Sequence, residues 1–161
     1  MITTMALVKT LARDYTTTSE TAPTTAASGE VGDRLLDTVT GYTYDLTAIV
    51  VVVSPNSTTY IWTKDTSRDS EILLTIGRVE IDYMQIRGCV FAVDESDAIV
   101  YPQAADYISA EMACYILGYG GEQGRGKNSE SLGGRSATYE RKIFGYPISI
   151  VSGIVRYQGF I

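Results

Sequence analysis

The chain has 161 residues, of which 45% are hydrophobic and 20% charged, and its formal net charge is −6. That length suits one domain with room for an extension. The acidic balance argues against a nucleic-acid-binding module, which needs a basic face or stripe, although it suits a protein that DNA passes without adhering.

Residues 4–15 place Leu7, Val8, Leu11, Ala12 and Tyr15 on one helical face, which predicts a short helix. Residues 16–29 are rich in Thr, Ser and Ala, have nothing to anchor a core, and read as a loop or extended arm. Ser28 can cap a brief helix reaching Val39, a reading that Gly32 and the neighbouring threonines weaken. Tyr42, Tyr44 and Leu46 then alternate with polar residues and lead into the β-branched run 49–53. Ser54, Pro55, Asn56 and Ser57 supply turn chemistry, and residues 58–63 again have strand composition, so a β-hairpin is expected. A lone hairpin is marginal in water. This one is therefore expected to pack on helices or to pair with a neighbouring subunit.

Two helices follow. Thr66 or Ser67 caps the first, Asp69 and Glu71 suit its first turn, and Gly88 suits its C-terminal cap. Ile72, Ile76, Val79 and Tyr83 fall at helical spacing, and Leu73 and Met84 widen the stripe. The second opens at Pro102 and stops at Gly118, with Ala105, Ile108, Ser109, Met112, Tyr115 and Ile116 on its apolar face. Residues 118–134 are glycine-rich and polar and read as a loop, whereas 135–144 are ambiguous. Pro147 opens a last apolar segment in which Ile148, Val151, Ile154, Val155 and Tyr157 favour a short helix over a strand. The expected fold is mainly α. Residues 1–64 form an extension carrying the hairpin, and residues 65–161 form a small helical bundle ending in an extended segment.

The motifs that suggest chemistry are weak. No histidine is present, so the commonest general base and the commonest metal ligand are both missing. Gly121, Gly126 and Lys127 have the spacing of a phosphate-binding loop, but Asn128 stands where Ser or Thr must hold magnesium. Such a loop also needs a strand before it and a helix after it. Asp94, Glu95 and Asp97 lack the glycine and terminal glutamate of a calcium loop and read as a solvated linker. Glu80 and Asp82, two apart on a helix, do not face one point. Cys89 and Cys114 have apolar neighbours and read as buried thiols, with a disulfide left open. These residues assign no catalytic, cofactor-binding or metal-binding role, and an enzyme is not expected. Residues 1–10 lack the apolar core of a secretory leader, and the run 48–53 is too short to cross a bilayer, so the chain is expected to be cytosolic when made. The twelve tyrosines, against three phenylalanines and one tryptophan, offer contact area with a polar end. Tyr139, Tyr146 and Tyr157 are the interface candidates among them.

From about residue 65 onward the order of elements resembles the head–tail connector (adaptor) family of tailed bacteriophages. The shared pattern begins with a capped helix ending near a glycine (residues 67–88), an acidic linker (94–97) and a second helix with Ala and Tyr (102–117). A glycine-rich stretch leads to a Ser-Glu-Ser-apolar-Gly-x-x-Ser-x-x-Tyr motif, here Ser129, Glu130, Ser131, Leu132, Gly133, Ser136 and Tyr139. A short apolar segment, 147–157, ends in the pair Arg156 and Tyr157. Typical members begin near the first of these helices, so residues 1–58 have no counterpart. The resemblance implies a ring of twelve-fold symmetry in the neck of the virion, bound beneath the portal protein, meeting a stopper or tail-completion protein on its other side, with DNA passing through the lumen. The portal-docking or subunit contacts it implies fall after the glycine-rich stretch: Ser129, Ser131, Tyr139, Arg141, Phe144, Tyr146, Ile150, Ile154, Arg156, Tyr157 and Phe160. The alternative is a different neck or tail protein (a stopper, tail terminator or tube element) that assembles through the hairpin.

Overall fold

The computed structural model describes residues 1–53, 56–119, 127–130, 137–139 and 141–154, with 127–130 and 137–139 described by their backbone pairing. The chain divides into two compact units, Met5–Leu73 and a second made of Met1–Thr4 with Leu74–Ile161.

The first unit starts with α1 (Met5–Ala12), which buries Met5, Val8 and Lys9. Its sheet has four strands in chain order, β1 (Thr17–Ser19), β2 (Arg34–Asp37), β3 (Thr43–Val53) and β4 (Asn56–Asp65). β1 and β2 are parallel, and the other two pairings are antiparallel. Leu35, Leu36, Leu46 and Ile72 join Met5 and Val8 in the core. Asp37 closes the β2–β3 turn: its Oδ1 accepts the N–H groups of Val39 (2.9 Å) and Thr40 (3.2 Å), and its Oδ2 accepts the Thr40 hydroxyl (2.7 Å). Gly41 ends that turn at φ +75°, and a Cβ there would lie 2.6 Å from the Ala6 amide nitrogen, so only glycine lets the turn meet α1.

The second unit is built on two helices. α2 (Asp69–Arg87) contributes its first residues to the first unit and the remainder, with buried Ile76, Val79, Tyr83 and Ile86, to the second. β5 (Ala92–Val93) and β6 (Ile99–Val100) form a small exposed hairpin whose turn is organised by Asp94. α3 (Ala105–Ile116) buries Ala105, Ile108, Ser109, Ala110, Met112, Ala113 and Cys114. The backbone of β7 (Lys127–Glu130) pairs with β8 (Ala137–Tyr139). Finally β9 (Lys142–Ile143) and β10 (Tyr146–Pro147) form a hairpin that leads into α4 (Ile148–Val151), which packs on α3. No helix among the described residues is long and apolar enough to cross a membrane.

The expectation of a mainly α fold, a small helical bundle with a hairpin extension, is overturned: the chain is mixed α/β, with a four-stranded sheet and three two-stranded ones among the described residues. α2, α3 and the β3–β4 hairpin lie where periodicity places them. The additional strands are two to four residues long: β1 and β2 pair across a long intervening loop, and β5–β6 and β9–β10 are hairpins with two residues a side, too short for alternation to mark them. The brief helix expected from Ser28 to Val39 is instead loop and β2. Arg34–Asp37 pairs on one side with Thr17–Ser19 and on the other with residues 43–45, and Gly32 at φ +101° interrupts any helix before it. The arm expected at 16–29 contributes β1, and the glycine-rich loop contributes β7. α3 proper begins at Ala105, three residues after Pro102, through a turn in which Ala105 N–H donates to Pro102 C=O at 3.1 Å.

Candidate interaction surfaces

In the first unit Arg34 gathers three carboxylates. Its Nε donates to Asp45 Oδ1 (2.8 Å), Nη1 to Asp14 Oδ2 (2.7 Å), and Nη2 to Asp45 Oδ2 and Asp65 Oδ2 (both 3.2 Å). The hydrogen bonds Arg34 donates to Asp45 hold the guanidinium above its ordinary value against the opposing effect of burial, and the charges of Asp14, Asp45 and Asp65 add to this. Asp65 is held below the usual carboxylate range by the Ser67 N–H and hydroxyl, and Arg34 and Lys9 reinforce this against burial. Arg34, Asp14 and Asp45 edge an open depression of about 710 Å³ that Val31, Gly32 and Thr47 also line. Because carboxylates already fill the fork of Arg34, this guanidinium is a brace between strands rather than a donor waiting for an anion.

Above that brace, β3 and β4 continue as a two-stranded ribbon. Pairing of β2 with β3 ends at Arg34↔Asp45, and the Leu46 N–H and C=O are taken by Asp33 and Gly32. A bulge falls between Leu46 and Ala48, after which β3 pairs with β4 alone, down to Val53↔Asn56. Ile49, Val50, Val51, Val52 and Val53 are all exposed, Val51 at 65% and Val53 at 83%. The outer edge of β4 is partly covered, because Tyr60 N–H donates to Thr25 C=O (2.9 Å) and Trp62 Nε1 donates to Ala27 C=O (3.0 Å).

In the second unit the β9–β10 hairpin presents a strained aromatic residue. Phe144 (φ +51°) and Gly145 (φ +88°) are both left-handed, as a two-residue type I′ turn requires. A bulky side chain at such a φ costs on the order of 1 kcal/mol, yet Phe144 is 62% exposed and gains little burial in return. Arg141 and Lys142 beside it are also exposed. The hairpin base is fixed where Ile148 N–H donates to Arg141 C=O (2.9 Å) and the Tyr146 hydroxyl donates to Asp82 Oδ2 (2.6 Å). Burial, then the hydrogen bond and charge of Asp82, push the Tyr146 phenol well above its ordinary value. The Tyr115 ring lies 6.2 Å from that of Tyr146, and Lys142 Nζ sits 5.4 Å from the Tyr115 centroid.

The residues that the connector resemblance singles out therefore divide. Arg141 and Phe144 face solvent, whereas Tyr146, Ile150 and Ile154 are buried within their own unit. Ser129 lies on β7 and Tyr139 on β8, where Lys127↔Tyr139 is a paired position. Ser131, Arg156, Tyr157 and Phe160, with the motif's Leu132, Gly133 and Ser136, lie outside the described residues, as does most of the phosphate-loop-like stretch. Glu80 and Asp82 each receive a different tyrosine, Tyr101 (2.9 Å) and Tyr146 (2.6 Å). Lys142 was not singled out by the sequence; its place beside Arg141 and the Phe-Gly turn is the signal that marks it.

Cys89 and Cys114 are not joined in a disulfide, and no group of three Cys, Asp or Glu residues among the described ones is arranged to hold a metal ion. Comparison with protein-family models, curated proteins and solved structures finds nothing that matches this chain.

Proposed function

We propose that this chain is a structural head–tail adaptor of a tailed phage, without catalytic activity. In this reading it forms a ring, twelve-fold by the family resemblance, beneath the portal in the neck of the virion. It joins the portal to a stopper or tail-completion protein while DNA passes through an acidic lumen. The observation that carries the reading is the β9–β10 hairpin: an anchored turn that holds Phe144 exposed at a strained φ, flanked by Arg141 and Lys142. It lies within the segment to which the connector resemblance assigns portal docking. Aromatic residues and arginine are enriched at interfaces, which fits Phe144 as an anchor with Arg141 near it; Lys142 suits the polar rim. Tyr146, Ile150 and Ile154 then serve docking indirectly, by fixing the hairpin to α2 and α3.

The exposed β3–β4 ribbon supports the second reading, a stopper, tail terminator or tube element that assembles through strands. Mixing the purified chain with purified portal rings and imaging the product by electron microscopy separates the two. An extra ring of density on the portal supports the adaptor. Tubes or caps formed without the portal, together with bare portals, refute it.

A further inference from the structure

We infer that the free chain pairs with a second copy of itself through the outer edge of β3, residues 49–53, in an antiparallel two-fold arrangement centred on Val51. This is independent of the portal reading and concerns the other unit's ribbon.

Four observations lead there. First, the edge is bare: beyond the bulge no backbone group of residues 48–53 bonds to anything but β4 among the described residues, so alternate N–H and C=O groups point outward unpaired. Second, the opposite edge of the ribbon is already engaged at Tyr60, whose N–H donates to Thr25 C=O, which leaves β3 as the more open side. Third, the two strands differ in chemistry. β3 carries Ile49, Val50, Val51, Val52 and Val53, whereas the facing part of β4 carries Asn56, Ser57, Thr58 and Thr59. Pairing β3 with β3 makes a four-stranded sheet whose inner two strands are the apolar ones and whose outer two are the hydroxyl-bearing ones. Pairing through β4 would leave the valines at the rim.

The fourth observation selects the occupant. Residues 46–63 contain no charged side chain, in a chain of net charge −6. A strand edge without lysine, a strand proline or an inward charge lacks the devices that keep edges apart, and it gives a charged partner nothing to recognise. It does fit its own copy, because two acidic chains meet here without like charges facing each other. Symmetry then fixes the register. A two-fold axis through the joined sheet keeps each side chain on its own face, so facing residues are an even number apart. Centring on Val51 sets it opposite the second copy's Val51, Val50 opposite Val52, and Ile49 opposite Val53. Each copy uses the whole bare edge, and β-branched pairs face each other across the seam.

Sedimentation velocity on the full chain over a concentration series tests this, with Val51→Lys, Val51→Glu and Ser57→Lys variants. Val51 is exposed and Ser57 lies on β4, so all three are expected to keep the circular dichroism spectrum of the parent. The parent is expected to dimerise. Val51→Lys and Val51→Glu alone should each associate at least ten-fold more weakly, a mixture of the two should recover the dimer, and Ser57→Lys should match the parent. A parent that stays monomeric, or forms an open-ended polymer, overturns the inference. So does a dimer that survives both Val51 variants, a mixture that does not recover, or an equal loss in Ser57→Lys.

Discussion

The Tyr146 hydroxyl donates to the Asp82 carboxylate at 2.6 Å, linking the C-terminal hairpin to α2 across 64 residues of sequence. Tyr146 is 3% exposed, and Arg78 reaches the same Asp82 oxygen at 3.8 Å. Replacing Tyr146 by Phe keeps the ring and removes the donor. The expected loss is about 1.5–3 kcal/mol in denaturant unfolding, the range for a hydrogen bond to a charged group. The phenol's folded pKa is raised above that of the unfolded chain, so the stabilisation is complete below about pH 10 and is lost as pH rises through the folded value. Alkaline titration of stability should therefore fall more steeply in the parent than in Tyr146→Phe.

Lys9 and Asp69 form a buried ion pair, with 8% and 11% of their side chains exposed, and Lys9 Nζ also reaches the Thr43 hydroxyl at 3.5 Å. Removing one partner strands the other charge in the core. Lys9→Met is expected to cost about 3–5 kcal/mol, whereas Lys9→Met combined with Asp69→Leu should recover most of the loss, because the desolvation of both charges disappears with them. Thermal or denaturant unfolding of the single and double variants measures the coupling. Equal stability of the two would contradict it.

Acid stability should report on Asp37. Burial works to raise this carboxyl, but the Thr40 hydroxyl and the N–H groups of Thr40 and Val39 outweigh that and hold it below the ordinary range. A folded pKa below the unfolded one gives stability that is fully present above about pH 4 and is lost as pH falls through the folded value. Asp65 contributes with the same sign. Asp37→Asn should be less stable than the parent at neutral pH by about 1–3 kcal/mol, and the gap should narrow below pH 4. A gap that stays constant with pH would assign the effect to shape alone.

What could be read in advance followed the range of the forces. α2, α3 and the β3–β4 hairpin announce themselves through local period and punctuation, such as Ile72, Ile76, Val79 and Tyr83 at helical spacing or the β-branched run before Ser54. β1 and β2 do not, because Arg34–Asp37 becomes a strand only when partners on both sides are in place. The Arg34 brace was equally hidden, since Asp14, Asp45 and Asp65 lie 20, 11 and 31 residues away. Lys9 sits on a helix face that would normally be solvated, and only the remote Asp69 explains its burial. Residue type and motif position do not tell a buried Tyr146 from an exposed Phe144. Gly145 was the local hint of a turn. The positive φ of the residue before it became visible only in the folded backbone.

The proposal that the β9–β10 hairpin is the docking element is tested most directly by Phe144→Asn. Asn-Gly is the preferred pair for a type I′ turn, so this change should leave stability unaltered or raise it by up to about 1 kcal/mol. Binding to purified portal rings, measured for parent and variant by the same titration, is expected to weaken at least ten-fold in Phe144→Asn. Undiminished portal binding by a folded Phe144→Asn chain would contradict the account.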